Sequence, residues 1–121
     1  MPYLAYNELK PVHFVGASRE ELQQLDDAAK ETLGFQLFKV QQGKDPDDWK
    51  PMPVVGPGVR EIRVREVSGA YRLFYVAKFE EAVYVLHVFH KKEQRTSEAD
   101  IMLARARYRS VTQWRKEHGG D

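Results

Sequence analysis

A predicted β-hairpin near the middle of the chain carries four arginines. The stretch VREIRVREVSGAYRLFYVA alternates apolar and polar residues on both sides of VSGA, which is typical of two antiparallel strands joined by a tight turn. Its arginines are Arg60, Arg63, Arg65 and Arg72. Guanidinium groups present a rigid fork of donors and keep their charge at any working pH, so they suit phosphate oxygens. The hairpin is therefore a candidate for binding an RNA backbone and for stabilising charge on one phosphate.

The two-residue period of a strand decides which face each side chain takes. In the first strand Arg63 and Arg65 share a face with Glu61, and we expect this charged face to point outward. In the second strand Arg72 lies in an otherwise apolar row. Because a buried guanidinium needs an acceptor, Arg72 either pairs with Glu61 or Glu66 across the hairpin or receives an anionic ligand.

Further candidates lie where VYVLHVFH, the next predicted strand, runs into KKEQR. A lysine crowded by arginines has a lowered pKa, which makes Lys91 or Lys92 a candidate acid or base. His90 is the alternative proton carrier, because a free imidazole has a pKa of about 6.5. Arg95 is a further candidate RNA contact. His87 is predicted to be a core histidine, and it lies on the face opposite His90, so the two cannot share a metal.

The elements that position these residues follow the order strand, one or two helices, three antiparallel strands, helix. The strands are predicted at 10–15, 59–67, 71–77 and 83–90. This order indicates an α+β fold, with a small twisted antiparallel sheet, a short N-terminal edge strand and helices at both ends of the chain. Residues 44–58, rich in Pro, Gly and Asp, are predicted to form a loop.

Two serines are predicted to begin the helices. Ser18, with Glu21 three residues on, forms a capping-box pattern, and an apolar face continues to Val40. Gly34 lies within this pattern and is either a break between two helices or a tolerated weak point of one helix. Ser97, with Asp100 three residues on, is predicted to cap the last helix. The apolar stripe of that helix consists of Ile101, Ala104, Tyr108 and Val111.

Composition indicates a single domain, 1–121, whose last five residues form a flexible tail. Residues 1–59 hold 6 basic and 9 acidic residues, whereas 60–116 hold 13 basic and 7 acidic, so the second half favours a polyanionic partner. The chain has no cysteine, no signal-peptide pattern in MPYLAYNELKPVHF and no apolar run long enough to span a membrane, so we expect a cytoplasmic location. No motif indicates a cofactor or a metal.

The segments GVREIRVREVSGAYRLFYV and VYVLHVFHKKEQRTSEADIMLARARY, with the preceding FKVQQGKDPDDWKPM, resemble the RelE/HigB superfamily of bacterial toxins, in its phage-derived HigB-like branch. The resemblance covers roughly residues 12–112. It implies the RelE-like fold, metal-independent and ribosome-dependent cleavage of mRNA, and a cognate helix-turn-helix antitoxin as partner. The family's basic residues correspond to Arg63, Arg72 and either Lys91 or Lys92, whereas its tyrosine has no clear equivalent, because EQRTS contains none.

Two other functions fit the same residues. One is a non-catalytic RNA- or ribosome-binding protein on the same fold, which the missing tyrosine favours. The other is a protein-binding module whose basic half contacts an acidic partner segment. Cleavage in a translating extract separates the first from the nuclease, and competition by RNA separates the second.

Overall fold

The computed structural model describes residues 9–119. Residues 1–8 and 120–121, which include the start of the segment inspected for a signal peptide and the end of the predicted tail, lie outside the described residues. In chain order the elements are β1 (Val12–Phe14), α1 (Ser18–Gln23), α2 (Asp27–Gln41), β2 (Trp49–Pro51), β3 (Val59–Glu66), β4 (Gly69–Val76), β5 (Val83–Lys91) and α3 (Glu98–Glu117).

The strands form one five-stranded sheet in the order β1-β5-β4-β3-β2. β5, β4 and β3 are antiparallel neighbours, as the short connections predict, and β2 adds to β3 in the same antiparallel sense. β1 pairs with β5 in parallel, so the sheet is mixed rather than wholly antiparallel. The predicted α+β class, with an N-terminal edge strand and helices at both ends of the chain, is confirmed.

A core lies on each side of the sheet. On one face α1 and α2 pack on residues such as Leu73, Tyr75 and Val85. On the other face α3 and residues 52–55 pack on Phe74 and Leu86. The central strand β5 is buried from Val83 to Val88, as its continuous apolar run predicts. We call these faces the helix face and the open face, because α3 covers only part of the second one.

Two predictions about local structure are wrong. The first concerns Ser18, which does not cap α1: it is the first helical residue, and its buried hydroxyl donates to the Val85 carbonyl at 3.1 Å. Of the two alternatives for Gly34, the tolerated weak point is the one observed, because α2 runs through Gly34. The break between the helices lies before Asp27, where Asp26 caps α2 by accepting from the Ala29 amide at 2.9 Å.

The second wrong prediction concerns the loop at 44–58, which contains a short strand. Residues 49–51 form β2 against β3, and Trp49 is paired with Ile62. By contrast, Ser97 caps α3 as predicted, accepting from the Asp100 amide at 3.1 Å. No helix among residues 9–119 is both long and apolar enough to cross a membrane.

Candidate active site

Strand register brings charged residues of four strands together on the open face. Arg63 lies directly opposite Arg72, and Ala70, which pairs with Arg65, is itself paired with Lys91. Directly paired residues project to the same side of a sheet. With Lys50, which pairs with Glu61, the group consists of Lys50, Glu61, Arg63, Arg65, Arg72 and Lys91. We call this group the arginine face.

Two members of the arginine face are buried. Glu61 is 1% exposed and Arg72 is 7% exposed, so the expectation that Glu61 points into solvent is wrong. Their nearest charged atoms, Arg72 Nε and Glu61 Oε2, are 3.8 Å apart, which is an ion pair but too long for a hydrogen bond. The expected partnership of Arg72 with Glu61 therefore exists in a weak form. Glu66, the other expected partner, accepts from Thr32 Oγ1 at 2.7 Å.

Three polar atoms of the arginine face are buried without a hydrogen-bonding partner in the described part of the chain. They are Arg63 Nε, Arg72 Nε and Glu61 Oε2. Buried donors are rarely left unpaired, because each costs about 1–3 kcal/mol. Arg63 and Arg72, which are directly paired on adjacent strands, therefore each bring a guanidinium with an unsatisfied donor to the same place on the open face.

The arginine face has a strongly positive potential, because five cations surround one carboxylate. Burial lowers the pKa of Arg72, and repulsion from Arg63 lowers it further against the attraction of Glu61. Partial burial and repulsion from Arg72 also lower the pKa of Lys91. Burial raises the pKa of Glu61, and the surrounding cations oppose this. Such a field favours binding of a phosphodiester and transfer of a proton by a lysine.

The structure distinguishes between the two candidate lysines. Lys91 ends β5 on the arginine face, and its ammonium donates to the carbonyls of Glu93 at 2.9 Å and Gln94 at 2.6 Å. Lys92 follows the end of the strand and is exposed, as is Arg95. Both border a small cleft with Lys91 beside the first turn of α3, so they lie at the edge of the arginine face.

Two predicted site residues lie on the helix face instead. His90 stacks on Tyr71 with ring centroids 4.5 Å apart, on the side of the sheet opposite Arg72. Arg60 stacks over Trp49 at 4.0 Å and donates to Asp45 at 3.0 Å. Neither side chain shares a face with Arg63 and Arg72, since each has the opposite strand parity.

A buried polar cluster supports β5 next to the arginine face. His87, predicted as a core histidine, is 5% exposed. Its ring nitrogens are both hydrogen bonded to carboxylates: Nδ1 to Glu21 at 3.0 Å and Nε2 to Asp100 at 2.6 Å. Arg107 binds Glu21 at 2.9 Å and the Leu86 carbonyl at 3.0 Å. Partial burial raises the pKa of Glu21, but hydrogen bonds from His87 and Arg107 outweigh it and lower the pKa to about 2.

This cluster joins α1, β5 and α3 through one carboxylate. The ring of His87 also stacks on Phe89 at 4.8 Å, and Phe89 is the β5 neighbour of Arg72. No group of His, Cys, Asp and Glu side chains within residues 9–119 is arranged to hold a metal ion. The cluster is thus a rigid support, held by charge-assisted hydrogen bonds.

Sequence reasoning missed two members of the arginine face. Lys50 lies on β2, within a segment predicted as a loop, so no strand parity could be assigned to it. Glu61 was predicted as a surface residue or a partner of Arg72, and its near-complete burial was not expected. The alternation of Glu61 with Ile62 gives its face correctly but does not show that Arg72, Phe74 and neighbouring residues cover it.

The sheet, its flanking helices and the arginine face define a small α+β domain with one cationic, partly uncovered sheet face. Residues 20–109 match the family described as phage-derived protein Gp49-like (DUF891), and because this is most of the chain, the protein belongs to that family. The family is one of toxins of toxin–antitoxin systems, whose partners are antitoxins. A comparison with curated proteins finds no significant match.

Proposed function

We propose that this toxin is a ribosome-dependent mRNA endoribonuclease of the RelE/HigB type, and that the arginine face is its active site. The observation that supports this most directly is the pair of buried, unpartnered donors, Arg63 Nε and Arg72 Nε, on adjacent strands. A phosphodiester bound at this surface would balance the positive charge of both guanidinium groups. Such a protein acts in the cytoplasm, where its substrate is translated.

RNA contains its own nucleophile. The 2′-OH attacks the adjacent phosphorus, the bond from phosphorus to the 5′-oxygen breaks, and a 2′,3′-cyclic phosphate and a 5′-hydroxyl result. The enzyme must accept the 2′ proton, stabilise the extra negative charge on the phosphate and protonate the leaving oxygen.

The arginine face offers a group for each of these tasks. Arg63, which is half-buried, contacts the phosphate oxygens, and Arg72 adds positive charge from beneath. Lys91 is the proposed proton carrier, because its pKa is lowered and it lies on the same face. Arg65, which is exposed, holds the flanking backbone. Lys92 and Arg95 are placed to contact RNA at the edge.

A second candidate function is RNA or ribosome binding without cleavage. It is favoured by the engagement of the Lys91 ammonium with two carbonyls. The absence of a tyrosine from the arginine face, within residues 9–119, also favours it. Tyr71 lies on the helix face, and the hydroxyl of Tyr108 donates to the Pro57 carbonyl at 2.9 Å.

The decisive experiment adds purified protein to a translating extract and maps RNA ends. We expect new 5′-hydroxyl ends within translated mRNA, and none when ribosomes are omitted. Arg63→Ala should reduce the cleavage rate by about 10²–10³-fold. The control Arg109→Ala, which changes an exposed residue of α3, should leave the cleavage rate unchanged. Ribosome binding without new ends would establish the second function, and cleavage independent of Arg63 would refute the proposed site.

We also propose that the cognate antitoxin carries a helix-turn-helix domain. The resemblance to the HigB-like branch supports this choice, and the basic second half of the chain suits an acidic partner segment. Co-expression with the neighbouring reading frame tests it. Formation of a stable complex that restores growth is expected, and a neighbouring protein that neither binds nor restores growth would contradict the proposal.

A further inference from the structure

A second concentration of positive charge lies on the other side of the sheet. A cavity of about 520 Å³ opens between the C-terminal end of α2, residues 43–45 and the adjoining parts of β3 and β4. Its lining includes Arg60 and Tyr75, which belong to the helix face. The sheet therefore separates this cavity from Arg63 and Arg72, and one phosphate group cannot contact both.

Cations dominate the charged lining. Lys10, Lys44, Arg60 and Lys78 face a single carboxylate, that of Asp45. We call this site the basic cavity. Lys44 and Lys78 are exposed, and neither forms an ion pair with any of the described residues. The Lys78 ammonium lies 5.2 Å from the centre of the Phe79 ring, whereas the Lys10 ammonium donates to the Ala77 and Phe79 carbonyls. Lys44 and Lys78 are therefore the lysines whose ammonium groups can turn toward a ligand.

The position of the cavity at the end of a helix does not account for these lysines. Cations often neutralise the unpaired carbonyls of a helix C-terminus. Here the Lys39, Val40 and Gln41 carbonyls already accept from the backbone amides of Lys44, Gly43 and Lys10, at 2.9, 2.9 and 3.1 Å respectively. The lysine ammonium groups of the basic cavity thus have no capping role to fill.

Arg60 provides a fixed guanidinium at the base of the cavity. It stacks on Trp49 at 4.0 Å, donates to Asp45 at 3.0 Å and is paired across the hairpin with Tyr75, which is 1% exposed. These contacts use only part of its five donors. A rigid fork beside exposed lysines is an arrangement suited to phosphate.

We propose that the basic cavity is a second phosphate-binding site, which takes a ribonucleotide either free or as one unit of an RNA strand. The cavity volume falls within the range of small-ligand sites. Val40 and Ala77 supply apolar wall for the sugar or base, while Arg60, Lys44 and Lys78 hold the phosphate. The proposal goes beyond the proposed function, since it requires no cleavage and no residue of the arginine face.

Trp49 is a local reporter for this site, because Arg60 stacks on its ring. The titrations use the full chain with Trp114→Phe, so that Trp49 is the remaining tryptophan, and with Arg63→Ala and Arg65→Ala to suppress binding at the arginine face. The probes are AMP, adenosine and a short single-stranded DNA that cannot be cleaved. Calorimetry on the same solutions detects any binding that leaves the fluorescence unchanged.

We expect saturable binding of AMP or the oligonucleotide, and at least about tenfold weaker binding of adenosine, since adenosine lacks the phosphate that accepts charge-assisted hydrogen bonds. Lys44→Ala with Lys78→Ala should weaken binding to a similar extent, whereas the control Lys30→Ala with Lys116→Ala should not. Tighter binding of AMP identifies a nucleotide site, and tighter binding of the oligonucleotide identifies a strand site. Absence of binding by both methods, or binding indifferent to Lys44 and Lys78, overturns the proposal.

Discussion

Arg72 and Glu61 are buried side by side beneath the arginine face, yet their charged atoms stop 3.8 Å apart and one atom of each lacks a hydrogen bond. A pair held in this way is not an efficient source of stability, because both groups have lost water without gaining full replacement. The pair instead serves to position Arg72. The carboxylate of Glu61 holds the charged guanidinium of Arg72 in place beneath the surface that we propose binds RNA.

Substitutions of Arg72 and Glu61 should therefore have separable effects on the free energy of unfolding and on the cleavage rate. Arg72→Ala alone leaves Glu61 as an uncompensated buried charge, and we expect the free energy of unfolding to fall by about 3 kcal/mol. Glu61→Met combined with Arg72→Met should recover most of this loss but not RNA cleavage. Denaturant unfolding and the translating-extract assay measure the two effects. A double variant that cleaves at the wild-type rate would remove Arg72 from the mechanism.

Neighbouring lysines provide a matched test of proton transfer. Lys91→Ala should reduce the cleavage rate by about 10²–10⁴-fold, the usual contribution of a general acid or base, whereas Lys92→Ala should have a small effect because Lys92 lies beyond the strand end. Rates measured across pH should also show that Lys91→Ala removes a titration at a pH below the ordinary pKa of lysine, since the pKa of Lys91 is lowered. Equal losses from both substitutions would contradict this assignment.

Glu21 should make the fold sensitive to acid. The pKa of Glu21 is about 2 in the folded protein, below its ordinary value of 4.5. Its contribution to the free energy of unfolding is therefore complete above about pH 5 and is lost as the pH falls toward 2; it amounts to roughly 3 kcal/mol at most. Glu21→Gln should flatten this acid limb in urea titrations, whereas Glu20→Gln, on the exposed side of α1, should preserve it.

The cap of α3 gives a further stability prediction. Ser97→Ala removes the acceptor of the Asp100 amide, and it also removes a donor to Asp100, the carboxylate that holds His87. We expect a loss of about 1 kcal/mol in the free energy of unfolding. Ser110→Ala, at an exposed position in the same helix, should change it by less than about 0.5 kcal/mol. A similar loss from both variants would mean that the cap is not the cause.

Strand parity predicted much of the candidate site from sequence. Alternation predicts that Arg63 and Arg65 share one face of their strand and that Arg72 lies in a row with Phe74, both of which the structure has. The register, which pairs Arg63 with Arg72, brings the two rows onto one face of the sheet. Parity alone also separates Arg60 from them. Strand parity could not predict how deeply each side chain is buried, because burial depends on what covers the face. Glu61 alternates like a surface residue but is covered by its neighbours.

The wrong predictions share a physical cause, which is tertiary contact replacing a local signal. Ser18 has the sequence of a helix cap, yet its hydroxyl serves β5. Tertiary packing also decides between the two alternatives for Gly34: it is a weak helix former, but the buried Leu33 and Leu37 hold the helix together around it. Residues 49–51 have no strand pattern and become β2 only because β3 offers an unpaired edge.

The short length of β1 leaves the later half of β5 without a strand neighbour on one side, since pairing ends at Val85. An open edge of this kind can recruit a foreign strand and begin aggregation. Here the Val88 amide donates to Glu21 and the Leu86 carbonyl accepts from Arg107. The same side chains that hold His87 therefore occupy the backbone groups of this unpaired edge, and losing them should make this toxin prone to self-association while it is still folded.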